Sequence, residues 1–268
     1  MGVRTAVLLT GLLLGIWAQS APVGAQEPGA TVPPDRAPEQ ARIRKAGPHL
    51  YAVGTLEVES LERTVRCRGR VNMDRGGPIE LLACLPRGKT HESVFTLDAE
   101  PMDLQLALLL LGMRQGINPA VEYPADSPER ARPAGDEAAI FVEWRSTPEG
   151  GQEPALERRR AEEFLLNVET ERPAERAEWV FLGSVMVGGR FGADVDGSLI
   201  TTYHDPLAIL ELALPTVNDD VYYVVNEEVC PPVGTPVELV IRAPSAEGED
   251  GRPADALEDA NADQEEDG

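Results

Sequence analysis

The segment Leu104 to Leu111 constrains the chain most, because six of its eight residues are leucine. Pro101 suits the first position of a helix, where its missing N–H is not needed, and Gly112 offers a C-terminal stop. A helix that is apolar nearly all round belongs in a core. The segment is also far shorter than the ~20 residues that span a bilayer. The remaining elements are therefore expected to bury it.

Around this helix the chain reads as strands separated by turns. Leu50–Val58 and Thr64–Asn72 alternate, Asp74-Arg-Gly-Gly77 is a turn, and Ile79–Leu85 returns. Val94–Leu97, Ala139–Trp144, Trp179–Val187, Val221–Val225 and Val237–Ile241 are further strands. Ala155–Arg159 offers a return partner for Ala139–Trp144 across Glu149-Gly-Gly151. Gly188-Gly189 turns the chain into Arg190–Val195, and Asp196-Gly197 signals a hairpin to Ser198–Tyr203. Ala161–Val168 reads as a short helix, and Asp205-Pro206 as the start of another running to Leu212. The expected class is α+β, a mostly antiparallel sheet built of hairpins with one buried apolar helix and two shorter helices.

The two ends differ from this middle. Met1–Ala25 has the form of a secretory signal: Arg4, an apolar run Ala6–Trp17, and the small residues Val23-Gly24-Ala25 at a cleavage site. This places the protein in the periplasm or outside the cell, or anchored to a membrane if the signal stays attached. No later segment is long and apolar enough for a span. Residues 26–45 read as a linker rich in Pro, Ala and charge, 46–243 as the folded domain, and 244–268 as an acidic tail. The tail reads as a solvating segment, with calcium collection or partner binding as the alternatives. The formal net charge is −22, which repels phosphate backbones and argues against nucleic acid.

Three cysteines remain: Cys67, Cys84 and Cys230. In an oxidising compartment, one disulfide and one free thiol is the default. If Thr64–Asn72 and Ile79–Leu85 form a hairpin with the two-residue loop Arg75-Gly76, Cys67 falls opposite Cys84 at a non-hydrogen-bonded pair. A four-residue loop keeps the two opposite at a hydrogen-bonded pair, and an odd loop separates them. Cys67–Cys84 is the expected bond, with Cys230 free.

Several chemistries fall away. Gly88-Lys89-Thr90 lacks the glycine that a phosphate loop needs five residues earlier, where Ala83 stands. There is no Gly-x-Ser-x-Gly, no Cys-x-x-Cys, and His91-Glu92 lacks a second His three residues on. Asp194-x-Asp196-Gly197 has Asp205, not Glu, at the twelfth place of a calcium loop. His91 and Ser93, two apart on a strand, lie about 6.6 Å from each other along the chain, too far for a nucleophile–base bond. The remaining dense polar stretch is Cys84-Leu-Pro-Arg-Gly-Lys-Thr-His-Glu-Ser93. It offers Lys89, His91, Glu92 and Ser93 as binding residues. His91 with Cys84, Glu92 or His204 offers the beginnings of a zinc or copper site. A loop histidine that satisfies backbone groups is the plainer alternative.

Glu80-Leu-Leu-Ala-Cys84, Gly88-Lys-Thr-His-Glu-Ser-Val94, the helix ending in Leu111-Gly112, Ile140-Phe-Val-Glu-Trp144, Trp179-Val-Phe-Leu-Gly-Ser184, Asp196-Gly-Ser-Leu-Ile200 and Pro232-Val-Gly-Thr-Pro-Val237 together resemble the YdjY-domain proteins of exported bacterial origin. The resemblance runs from about Thr64 to Ile241. It implies a domain identity and export, and it implies no reaction. Members labelled ferredoxin-like carry iron–sulfur cysteine motifs, which this chain lacks, so an electron-transfer role does not carry over. The expectation is a binding module for a protein or small ligand, not an enzyme, with its site at Lys89–Ser93 and no cofactor. The alternative is a transition-metal or redox protein using His91 with Cys84.

Overall fold

The computed structural model describes residues 42–124, 133–146, 153–215 and 221–244. The signal segment, most of the linker, the turn at Glu149-Gly-Gly151 and the acidic tail lie outside these residues. Strands β1 (Ile43–Lys45), β2 (Leu50–Val53) and β3 (Leu56–Glu59) form a meander leading into β4 (Thr64–Val71). β1 thus falls within the stretch whose composition reads as a linker. Next come β5 (Leu81–Cys84), β6 (Ser93–Leu97), helix α1 (Pro101–Leu110) and the single turn α2 (Pro119–Glu122). They are followed by β7 (Glu137–Arg145), β8 (Leu156–Arg160), a 3-10 turn at Ala161–Phe164, β9 (Leu165–Asn167) and β10 (Arg172–Pro173). The chain continues through β11 (Trp179–Phe181), the hairpin β12 (Met186–Val187) and β13 (Arg190–Phe191), helix α3 (Gly192–Asp196), and β14 (Ser198–Thr201). β15 (Leu210–Leu212), β16 (Tyr223–Val225) and β17 (Pro236–Arg242) complete it.

The expected α+β sheet is replaced by a closed barrel of eight strands, in the order β4-β17-β7-β11-β15-β14-β5-β6 and back to β4. Closure depends on β4. One edge of this strand pairs with β17 along its length. The other edge is divided: Thr64–Arg66 pair with β3, and Gly69–Val71 pair with β6. Gly69 allows that second contact, since a Cβ there would lie 2.3 Å from the Thr96 carbonyl oxygen. A closed sheet fills its interior with its own side chains and has no need of a helical layer. Alternate residues of β4 (Val65, Cys67, Gly69, Val71) and of β17 (Val237, Leu239, Ile241) are buried. Phe95 and Phe164 meet edge to face at 5.2 Å, and Trp144 meets Phe164 at 5.9 Å. Each such buried side chain contributes roughly 1.5–3 kcal/mol.

Three further expectations are corrected. α1 begins at Pro101 as expected, but only one side of it is buried: Leu104, Ala107 and Leu108 join the core, while Leu109 and Leu110 are 43% and 37% exposed. Asp196-Gly197 is a helix end rather than a hairpin, with Gly197 capping α3 in the left-handed region at φ 86°. In place of the two shorter helices stand the 3-10 turn with β9 and, after Asp205, the strand β15. Asp205 still caps locally, its Oδ1 accepting from the Leu207 N–H.

The Cys67–Cys84 bond is also absent, and all three cysteines are free. β5 does not return against β4; it pairs antiparallel with β14 and parallel with β6, which separates it from β4. Cys67 accordingly sits opposite Leu239, and Cys84 opposite Thr96 and Ser198. Among the described residues, no helix is long and apolar enough to cross a membrane.

Candidate functional site

Parallel neighbours need a crossover connection, and β5 and β6 are joined by only the eight residues Leu85–Glu92. This crossover runs back along the β5–β14 pair. It is held there at Gly88, whose backbone touches Gly197: a Cβ on Gly197 would lie 2.7 Å from the Gly88 Cα. The Leu85 N–H donates to the Gly197 carbonyl at 2.8 Å. β5, β6 and β14 are consequently buried at every position.

The far half of the crossover is a 3-10 turn, Thr90–Glu92, in which the Glu92 N–H donates to the Lys89 carbonyl at 3.2 Å, and side chains brace it further. The Ser93 hydroxyl donates to the Lys89 carbonyl at 2.7 Å, and Asn72 Nδ2 donates to the carbonyls of Thr90 (2.6 Å) and Ser93 (2.7 Å). Ser93 is fully buried and its hydroxyl is occupied by this bracing.

Lys89 is the centre of the site. Its Nζ lies 3.3 Å from Glu80 Oε2, 3.3 Å from the Tyr203 hydroxyl and 4.0 Å from Asp196 Oδ2, with the side chain 30% exposed. Burial works against the ammonium, but the Tyr203 oxygen and the carboxylates of Asp205 and Asp196 outweigh it, and the pKa is raised. Glu92 lies at the rim, 3.3 Å from His91 Nε2. Burial and a shared hydrogen bond with Glu80 push its carboxyl up. His91 itself is 75% exposed. Cys84 is fully buried, and burial raises its thiol despite a hydrogen bond with Ser93. The two residues suggested as a metal pair therefore occupy opposite environments. Among the described residues, no group of three or more His, Cys, Asp and Glu is arranged to hold a metal ion.

The structure adds residues that sequence reasoning missed. Glu80, Asp196, Ser198, Tyr203 and Asp205 converge on Lys89 from the start of β5, the end of α3 and both ends of β14. The Ser198 hydroxyl donates to the Asp196 carboxylate. Asp205 is buried, its pKa is raised by that burial, and its Oδ2 has no hydrogen-bond partner among the described residues. Beside it, His204 Nδ1 meets Glu211 Oε1 at 2.5 Å, and Asn118 Nδ2 donates to Glu211 Oε2 at 2.9 Å. Burial raises the Glu211 carboxyl. His204 Nε2 is left without a partner among the described residues. A sequence signal existed for Glu80, Asp196 and Ser198, which stand in the blocks Glu80–Cys84 and Asp196–Ile200 that carry the family resemblance. Tyr203 gave none, because its partner is distant in the chain, and His204, weighed as a metal partner of His91, pairs with Glu211 instead.

The YdjY domain model matches residues 56–242. No curated protein and no solved structure matches. The family match covers well over half of the chain and takes in the whole crossover and everything that converges on it, and the chain belongs to the YdjY domain family.

Proposed function

We propose that this is an exported binding module whose site is the Lys89–Ser93 crossover with Glu80, Asp196 and Tyr203. The observation that carries the proposal is the convergence on Lys89. Four separate segments bring charged and polar groups to one half-buried place, on a loop whose backbone is already fixed by Asn72 and Ser93. A preordered loop loses little entropy when a ligand arrives. Glu80, Glu92 and Asp196 offer acceptors and Lys89 a donor, so the fitting ligand carries both a cationic or N–H group and an acceptor. It is either a small molecule or a segment of a partner protein. The Met1–Ala25 segment supports export.

The test is a thermal-shift screen of the full chain against amino acids, polyamines, dicarboxylates and sugar acids, repeated on His91→Ala/Glu92→Ala. A ligand at a hundred times its Kd adds about 2.7 kcal/mol. The expected result is a hit lost in the double variant, whose own stability stays within about 0.5 kcal/mol of wild type. A hit that stabilises both proteins equally overturns the assignment. So does a double variant that loses more than about 2 kcal/mol, which would make these side chains structural.

A further inference from the structure

One face of this acidic protein is basic. The registers of β4, β17, β7 and β8 place three rows of side chains on one face of the barrel wall. Arg70, Pro236, Arg145 and Leu156 form one row; Arg68, Glu238, Glu143 and Arg158 the next; Arg66, Val240, Phe141 and Arg160 the third. Arg242, beside Ala139 and Thr64, completes the face. On these four adjacent strands, seven arginines face three glutamates, with Glu137 at the far end of β7. The two glutamates among the arginines are occupied: Arg66 holds both Glu143 (3.0 Å) and Glu238 (2.7 Å), and Arg158 also reaches Glu143 (3.4 Å). Arg160 is held by Glu162 and Glu178. Arg158, Arg160 and Arg242 crowd the Phe141 ring, at 4.0, 5.3 and 5.2 Å from its centroid. Arg68, Arg70 and Arg145 are exposed and make no ion pair among the described residues.

Arginines at alternate positions of one strand, as Arg66, Arg68 and Arg70 are on β4, share a face and repel unless something neutralises them. The chain itself carries a neutralising segment. Residues 245–268 contain ten Asp and Glu against the single Arg252. They follow directly on β17, the strand that crosses the middle of the basic face. The last described residue, Pro244, is fixed beside the start of β4, where its carbonyl accepts from Arg63 Nε at 2.5 Å. β4 is eight residues long, about 26 Å at 3.3 Å per residue, which a chain of 24 residues covers easily. Attachment also raises the local concentration of the segment to about millimolar, so that even a weak contact is populated.

We infer that the basic face of β8-β7-β17-β4 is a docking site for acidic peptide, and that its resident occupant is the chain's own segment Glu247–Asp267. The segment covers Arg68, Arg70 and Arg145 and withholds them from other acidic partners until salt or a competing ligand displaces it. This inference is independent of the Lys89 site.

The test uses full chains and a fluorescent polyglutamate peptide at low ionic strength. In wild type the face is covered and the peptide binds weakly. Replacing the ten Asp and Glu residues of the segment by Asn and Gln is expected to tighten binding by roughly tenfold or more. Adding Arg68→Gln, Arg70→Gln and Arg145→Gln to that variant is expected to abolish the gain. The last comparison assigns the gain to this face, because a peptide bound elsewhere would keep it after the arginine changes. Equal binding to wild type and the neutralised chain overturns the inference. So does no binding to the neutralised chain, or a gain that survives loss of the three arginines.

Discussion

Gly197→Ala tests the contact on which the site depends. Gly197 has φ 86°, and its Cβ would lie 2.7 Å from the Gly88 Cα, well inside the 3.4 Å at which ordinary contact begins. Two costs combine. An L-residue in the left-handed region costs about 1–2 kcal/mol, and forcing packed backbone apart costs about 1–3 kcal/mol more. A total of about 3 kcal/mol lowers the Tm of a domain this size by roughly 6–12 °C. Gly234→Ala is the control, because Gly234 has φ 87° but nothing within 4 Å of its Cβ position. It meets only the first cost. Urea denaturation of both variants measures the difference, expected at about 2 kcal/mol. The excess should coincide with a displaced crossover, read as a chemical-shift change at Lys89 and Glu92. Equal losses in the two variants would refute the close Gly88–Gly197 approach and the placement of Lys89 that depends on it.

Ser93→Ala removes the buried hydroxyl that braces the Lys89 carbonyl and is expected to cost about 1–2 kcal/mol by urea denaturation; no loss would show the turn to be held otherwise. Glu211, Asp205 and Glu92 have folded pKa values raised above their ordinary ones, mainly by burial. The folded state therefore binds their protons more tightly, and stability is fully present below the ordinary carboxyl pKa and declines as pH rises through the raised values. The urea midpoint is expected to rise as pH falls from 7 toward 5, with a shallower slope in Glu211→Gln. A midpoint that falls over that range refutes the assignment. Titration with a thiol reagent under denaturing, non-reducing conditions is expected to find all three thiols. A count of one would mean that two of the three are bonded, against the separation found here.

Much of the fold was legible wherever local pattern suffices. β4 alternates in sequence and is buried at every second residue from Val65, while β7 and β17 are apolar runs buried through Ile140–Val142 and Leu239–Ile241. Pro101 starts its helix, and β8 returns against β7 as the turn signal suggests. The crossover was legible as a dense polar stretch, because Lys89, Glu92 and Ser93 are close in the chain. The same logic misled at Asp196-Gly197. That dipeptide signals positive φ, which Gly197 has, but a hairpin and a helix C-cap both use it.

Local pattern in the sequence marks most of the strands, though not β9 and β15, and also where α1 begins and that charge is unevenly distributed along the chain. These follow from side-chain period, proline and glycine geometry, and composition, all local properties. Long-range pairing alone makes β4 divide one edge between β3 and β6 and sets β5 parallel to β6, and Lys89 therefore meets Glu80, Asp196 and Tyr203. Strand pairing is a competition among distant partners for the same backbone groups. It is won by whichever arrangement leaves fewest groups unpaired and most apolar surface buried, and no short window of sequence records that outcome.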